Sequence, residues 1–225
     1  MEGEEDVDVV IGLVGNPNVG KSALFHQLTG VGVNVSNYPG TTVEVAEGKT
    51  RYLDRNVKVI DLPGVYSLGA VAEDEWVARR AILEHDIDVI IDVVDASNLE
   101  RNLYLTFQLI ELDIPIIIAL NQYDVAEKSG INIDTEDLSE ILGVPVVPTV
   151  ASQGRNVSQT LTEAIEAGLN ENKPAKKVRM GKDLEEIIDE LAETERQTTG
   201  RPIMPLWMIS RSFSHSLQKW RTKAI

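Results

Sequence analysis

The chain has no cysteine in its 225 residues. That excludes a disulfide framework and any thiolate metal site, and it fits a reducing, cytosolic setting. Aromatics amount to only 5%, and the three histidines, His26, His85 and His215, are scattered, so no iron site is argued from them. Basic charge is also in deficit, with 36 acids against 21 bases and a formal net charge of -15. A field of that sign repels a phosphate backbone, which argues against a nucleic-acid partner. Long apolar runs are missing too. IPIIIAL, at 114–120, falls far short of the roughly 20 residues a helix needs to span a bilayer. The acidic start MEGEEDVD is unlike a secretory leader, which is basic and then apolar. The chain as given reads as soluble.

Apolar residues make up 43%, enough for a real core, and the length suits one mid-sized domain with an appendage. VDVVIGLVG (7–15) reads as a buried parallel strand, followed by a helix over 21–29 with Leu24 and Leu28 on one face. TTVEVAEGKTRYL and NVKVIDLPG read as an antiparallel pair beside it. Helices are expected over about 73–85 and 98–112. Further strands are expected at 87–96, 114–124 and 145–151. DTEDLSEILG places Leu138, Ile141 and Leu142 at helical spacing before Gly143, and a last helix follows from Asn156. Alternation of this kind predicts an α/β fold, a mostly parallel sheet with helices on both faces. A polar linker at 170–177 separates this unit, 1–170, from a C-terminal helical segment, 171–225. There Leu184, Ile187, Ile188 and Leu191 keep the spacing of an amphipathic helix.

GNPNVGKS, residues 15–22, matches G-x-x-x-x-G-K-S and lies between an apolar strand and a helix. Gly15 and Gly20 let the backbone curl so that the segment from Asn16 through Pro17, Asn18 and Val19 to Ala23 wraps the phosphates, every residue but Pro17 offering an N–H to phosphate oxygens. Lys21 is placed to bridge the β- and γ-phosphates and the Ser22 hydroxyl to ligate Mg²⁺. DLPG follows, where Asp61 can hold Mg²⁺ and the Gly64 N–H, after Leu62 and Pro63, can reach a γ-phosphate. In NQYD, Asp124 can accept from two donors of guanine that adenine does not offer, while Asn121 ties this loop, with Gln122 and Tyr123, to the phosphate loop. TVASQG can present the Ala151 amide, between Val150 and Ser152, to guanine O6. In VNVSNYPGTTVE a threonine after Gly40, Thr42 by preference over Thr41, can complete the Mg²⁺ shell when a γ-phosphate is present, making the loop an order–disorder switch.

Together GNPNVGKSALFHQLTG, NYPGTTVE, DLPGVYSL, DASNLERNLYLTFQL and NQYD resemble the cytosolic GTP-binding domain of the ferrous iron transport protein B family, over about residues 8–165. The resemblance implies a P-loop GTPase followed by a small helical domain and then a polytopic membrane region, so that the chain resembles a soluble piece of a cell-membrane protein. It implies that Asn18 helps hold a stimulating K⁺, and that Thr42, Asp61 and Gly64 are switch residues. Implied partners are GTP and GDP, the membrane region of the same protein and small accessory iron-transport proteins, and a homo-oligomer is compatible with it. Gln122 departs from the family of guanine-reading motifs, which usually carry lysine, and Val150 stands where serine is usual.

The expected activity is slow, Mg²⁺-dependent and K⁺-stimulated GTP hydrolysis. Asn18, Lys21, Thr41, Thr42 and Gly64 are the candidate catalytic residues. Where Ras-like GTPases carry a water-orienting glutamine, this chain has Val65, so that work is assigned to backbone groups near 40–42. Two alternatives stand beside it. One is a signalling module with negligible turnover. The other is a ribosome-associated GTPase, which the acidic balance disfavours.

Overall fold

The computed structural model describes residues 7–30, 33–69, 72–112 and 114–170. Its organising element is β1 (Val9–Gly15), apolar and buried at every position but Val10. A strand without a polar face belongs in a sheet interior. β1 pairs in parallel with β4 (Arg55–Asp61) on one side and with β5 (Val89–Asp95) on the other. The complete order is β2-β3-β4-β1-β5-β6-β7, with β2 (Asn34–Asn37), β3 (Glu44–Tyr52), β6 (Ile116–Asn121) and β7 (Val146–Pro148). Within this sheet of the described residues the β2–β3 and β3–β4 pairings are antiparallel and the others parallel.

Helices cover both faces, as the alternation predicts. α1 (Lys21–Thr29) and α6 (Val157–Leu169) bury Leu24, Phe25, Leu161 and Ile165 against one side. α2 (Glu73–Glu84), α3 (Leu99–Ile110), α4 (Tyr123–Lys128) and α5 (Thr135–Leu142) cover the other, with Val77, Ala81, Leu103 and Leu109 at the centre. After β1 the chain builds one half of the sheet, and after β4 it crosses to the other side of β1. The crevice at the carboxyl ends of the strands around such a reversal is where ligands bind in open α/β sheets. Residues 15–22, 61–64, 121–124 and 149–152 all leave strands at this edge.

The local differences from expectation have local causes. β6 stops at Asn121 because Gln122 adopts the left-handed conformation, φ 56°, and α4 begins at once. β7 is only three residues long, and Ala151–Gln153 turn into a short 3₁₀ segment. β2 was not anticipated from the sequence. It is an edge strand exposed at all four positions, so it carries no apolar alternation to read. In α5, Asp134 caps the helix by accepting from the Glu136 and Asp137 amides, both at 3.0 Å. Leu138 and Leu142 are buried there but Ile141 is 47% exposed, on a short helix that packs beside the edge strand β7. The linker and the amphipathic helix expected beyond 170 lie outside the described residues.

Candidate nucleotide site

β1 delivers the chain to Gly15, where a Cβ would stand 2.5 Å from the Val93 carbonyl oxygen of β5, so no larger residue lets the loop leave the sheet here. Asn18 (φ 67°) and Gly20 (φ 86°) are both left-handed, and a Cβ at Gly20 would meet Asn121 Nδ2 at 2.4 Å. Left-handed residues set beside residues of ordinary φ curl a loop into a concavity that gathers N–H groups around an anion. Buried Val19 pins the loop to the core, and α1 starts at Lys21 with Ser22 exposed at its N-terminal end.

The Lys21 ammonium donates to the Asp61 carboxylate, which stands at the end of the neighbouring strand β4. The side chains are 11% and 13% exposed. Burial pushes the Asp61 carboxyl up from its usual range, and the charge and hydrogen bond of Lys21 oppose that rise. Beyond Asp61, the Leu62 amide donates to Leu13 O at 3.1 Å and the Val65 amide to Gly15 O at 3.2 Å, so the DLPG segment is stitched onto β1 and the phosphate loop. Leu62 and Val65 turn their side chains into the core, Val65 at 2% exposure.

On the base side, buried Asn121 does what its position predicts. Its Nδ2 donates to Val19 O at 2.8 Å, and its Oδ1 accepts from the Ala151 amide at 2.9 Å. Gln122 supplies a second tie that sequence reasoning missed, its Nε2 donating to Asn18 O at 3.1 Å. The two residues are 104 positions apart, so no local pattern signals the contact. Asp124, the expected base reader, meets Lys128 Nζ at 2.9 Å, and that hydrogen bond holds its carboxyl below the usual range.

Three other residues expected on this side, Ala151, Tyr123 and Val150, have partners of their own in the structure. The Ala151 amide donates to Asn121, its buried neighbour, rather than standing free for guanine O6. The Tyr123 hydroxyl donates to Ile133 O at 2.9 Å and its ring packs on the core, so its side chain faces away from the base. Val150 is a core residue whose backbone bridges to Arg155, while Ser152 is exposed.

The loop bearing the two threonines is closed by the Tyr38 amide donating to Val43 O at 2.8 Å and the Thr41 amide to Tyr38 O at 3.0 Å. The Thr41 hydroxyl donates to Tyr38 O at 2.9 Å and accepts from the Val43 amide at 3.2 Å, so it serves the loop itself. Thr42 is the freer of the pair, exposed, with its hydroxyl 3.5 Å from Glu73 Oε2 on α2. The structure thus brings Lys21 and Asp61 together and turns Thr42 toward α2.

A polar cleft of about 180 Å³ opens beside the phosphate loop, lined among others by Asn16, Asn18, Tyr66, Arg101 and Asn102. Asn16 is 3% exposed, and neither atom of its amide has a partner among the described residues. Arg101, which nothing in the sequence singles out, places its guanidinium 4.4 Å over the Tyr66 ring.

The sequence profile of "Ferrous iron transport protein B" matches residues 9–165. The chain is 53% identical over 153 residues to the Fe(2+) transporter FeoB of Salmonella typhimurium, covering 66% of this chain and 20% of that one. It therefore spans about a fifth of the length of that relative. Among solved structures it resembles a mutant N-terminal FeoB domain of S. thermophilus bound to GDP, at TM-score 0.76 and 41% identity, with 82% of this chain and 71% of that one covered. It also resembles the cytosolic domain of the T. maritima FeoB iron transporter in its GMPPNP form, at TM-score 0.77 and 38% identity, with 85% and 75% covered. The sheet, the phosphate loop and the base-side ties are those of a P-loop GTPase, and the chain belongs to the ferrous iron transport protein B family.

Proposed function

We propose that this chain binds GTP and GDP, hydrolyses GTP slowly, and through its nucleotide state governs Fe(II) uptake by a membrane region of a longer protein. The observation that carries the reading is the convergence of four separate segments on one sheet edge. The phosphate loop, Asp61, the Asn121–Asp124 turn and the Ala151 turn are joined there by hydrogen bonds. GDP and GMPPNP occupy the similar domains of S. thermophilus and T. maritima, which supports the same ligands here.

The donors present suit Mg²⁺. They are all oxygen, and no cluster of three or more His, Cys, Asp or Glu able to hold a metal occurs among the described residues. Mg²⁺ in nucleotide sites takes one or two protein ligands and fills the rest with phosphates and water. Ser22 and Asp61 would hold it, joined by Thr42, and Asn18 would hold K⁺ through its side chain, its backbone carbonyl being engaged by Gln122. When bound, both cations supply positive charge beside the β- and γ-phosphates, the main demand of a loose phosphoryl-transfer transition state. Lys21 adds a fixed ammonium that Asp61 already orients. Asn121 and Gln122 lock the phosphate loop from the base side, and Asp124 selects guanine. Val65 is packed in the core, so the backbone of Gly40 to Thr42 is left to position the water.

The deciding measurement is GTP turnover in K⁺ and in Na⁺, with GDP release followed alongside. Faster turnover in K⁺ that disappears in Asn18→Ala supports the reading. Turnover indifferent to the cation, or a K⁺ response intact in Asn18→Ala, overturns the K⁺ assignment. GDP release slower than single-turnover hydrolysis would favour a signalling output over steady catalysis.

A further inference from the structure

We propose that Tyr38 is a positioning residue that mounts the Thr41–Thr42 loop on α2, so that the two segments flanking the phosphate site move as one body. The proposal rests on the reading of Thr42 as a residue of the nucleotide site.

Tyr38 occupies two structures at once. Its backbone closes the loop, donating to Val43 O and accepting from the Thr41 amide and hydroxyl. Its side chain, 4% exposed, is seated along α2, from Trp76 to its carboxyl-terminal end at Glu84 and His85. The hydroxyl donates to Glu84 Oε2 at 2.7 Å, and burial together with Glu84 pushes its pKa up to about 12, so it stays a donor throughout the working range. The ring meets Trp76 edge to face, with centroids 6.2 Å apart, and lies 5.9 Å from the His85 ring. Arg80 completes the seat. Its Nε donates to Glu84 Oε1 at 2.6 Å while its guanidinium lies 4.9 Å over Trp76.

The loop has other holds on the sheet side: β2, which leads into it, exposes its side chains but pairs with β3 along its length, and Val43 is buried at 8% exposure. Toward α2 the Thr42–Glu73 contact is long at 3.5 Å, so Tyr38 is the principal tie from the loop to that helix. The first turn of α2 is tied to the DLPG segment, because Ser67 Oγ, three residues after Gly64, donates to Glu75 Oε1 at 2.6 Å. A displacement of DLPG on exchange of nucleotide would carry α2, and α2 would carry Tyr38 and the threonines with it. The Tyr38 side chain is taken up by Glu84, Trp76 and His85, which is why Tyr38 positions rather than reacts.

The test uses the full chain with Tyr38→Phe, which keeps the ring and loses the hydroxyl, Tyr38→Ala and Glu84→Gln. Amide hydrogen exchange is read first, because it does not depend on catalysis. Tyr38→Ala and Glu84→Gln should speed exchange across 38–43 about tenfold or more while leaving β1 unchanged, the effect of losing a buried hydrogen bond to a charged acceptor. Unchanged exchange at 38–43 in both variants overturns the proposal, whatever the nucleotide chemistry proves to be. Turnover is then titrated with Mg²⁺. Tyr38→Ala should raise the Mg²⁺ concentration for half-maximal rate and lower kcat about tenfold, with Tyr38→Phe between it and the parent. Binding of a fluorescent GDP should change less than about twofold, since the phosphate and base contacts lie elsewhere. An unaltered Mg²⁺ dependence in Tyr38→Ala overturns the coupling to the site. Absence of GDP binding in the parent chain would instead sink the functional reading, and the exchange result would still decide the anchor.

Discussion

The ammonium of Lys21 and the carboxylate of Asp61 form an ion pair across 40 positions of sequence, at the point where the phosphate loop meets the end of β4. Each side chain is mostly shielded from water. Removing one member of such a pair strands the other as an uncompensated charge. Lys21→Ala should therefore destabilise the fold by about 3 kcal/mol, and adding Asp61→Asn should recover most of that loss. Urea unfolding midpoints of the single and double variants check this. Nucleotide binding should be absent in both, which separates the stability of the pair from its function.

In the function proposed above Asp124 would accept from N1–H and the exocyclic amine of guanine; the hydrogen bond from Lys128 holds its carboxyl below the usual range. Asp124→Asn removes one acceptor and introduces a donor, a pattern that suits the carbonyl of xanthine. Affinity for GTP should fall at least about a hundredfold and xanthosine triphosphate should become the preferred ligand. Competition binding with the two nucleotides reads the switch, and an unchanged preference for GTP would remove Asp124 from the base site.

Asp92 sits in the middle of β5, fully buried, accepting from Thr106 Oγ1 at 2.6 Å. Burial pushes its carboxyl up from 3.8 to about 7, against the smaller opposing pull of the Thr106 hydrogen bond. The folded chain then holds a proton that the unfolded chain releases at lower pH. Stability contributed by Asp92 is full below about pH 4, falls as pH rises, and is lost once pH passes about 7, the whole change being of order a few kcal/mol. Asp92→Asn keeps an acceptor for Thr106 and cannot ionise. Its unfolding midpoint should vary less with pH between 5 and 8 and should exceed that of the parent at pH 8. Parallel pH profiles of the two proteins would contradict this.

Val65 follows DLPG where a water-orienting glutamine stands in Ras-like GTPases, and its side chain is in the core. Val65→Ala should cost roughly 1.5–2.5 kcal/mol of stability through lost burial and the cavity left behind. Turnover of the folded protein should stay within about twofold of the parent, whereas Asn18→Ala should lower it at least about tenfold in K⁺. A comparable loss in the two variants would return a catalytic role to Val65.

The legible parts were those governed by short-range rules. Near-continuous apolar runs announced β1, β5 and β6, and the glycines at 15 and 20 sit where a close approach and a left-handed turn require them. Asn121 was readable as a tie because its motif has a fixed chemical task. Residues whose roles depend on distant partners could not be read. Gln122 looks like a weakened base contact until its amide is seen on Asn18. Tyr123 looks like a ligand contact until its hydroxyl is seen on Ile133. Tyr38 and Arg101 looked like nothing in particular, because Glu84 and Tyr66 lie far away along the chain.

By itself, then, the sequence determined the alternation of elements, the phosphate loop and the Asn121 tie to it, since each depends on backbone geometry or on a motif with a fixed chemical task. The tertiary structure alone decided that Lys21 meets Asp61, that Thr41 serves its own loop while Thr42 faces α2, and that Tyr38 seats that loop on a helix. Those outcomes depend on which strands become neighbours and which surfaces bury each other. They are settled by packing over the whole sheet, a quantity that no window of sequence contains.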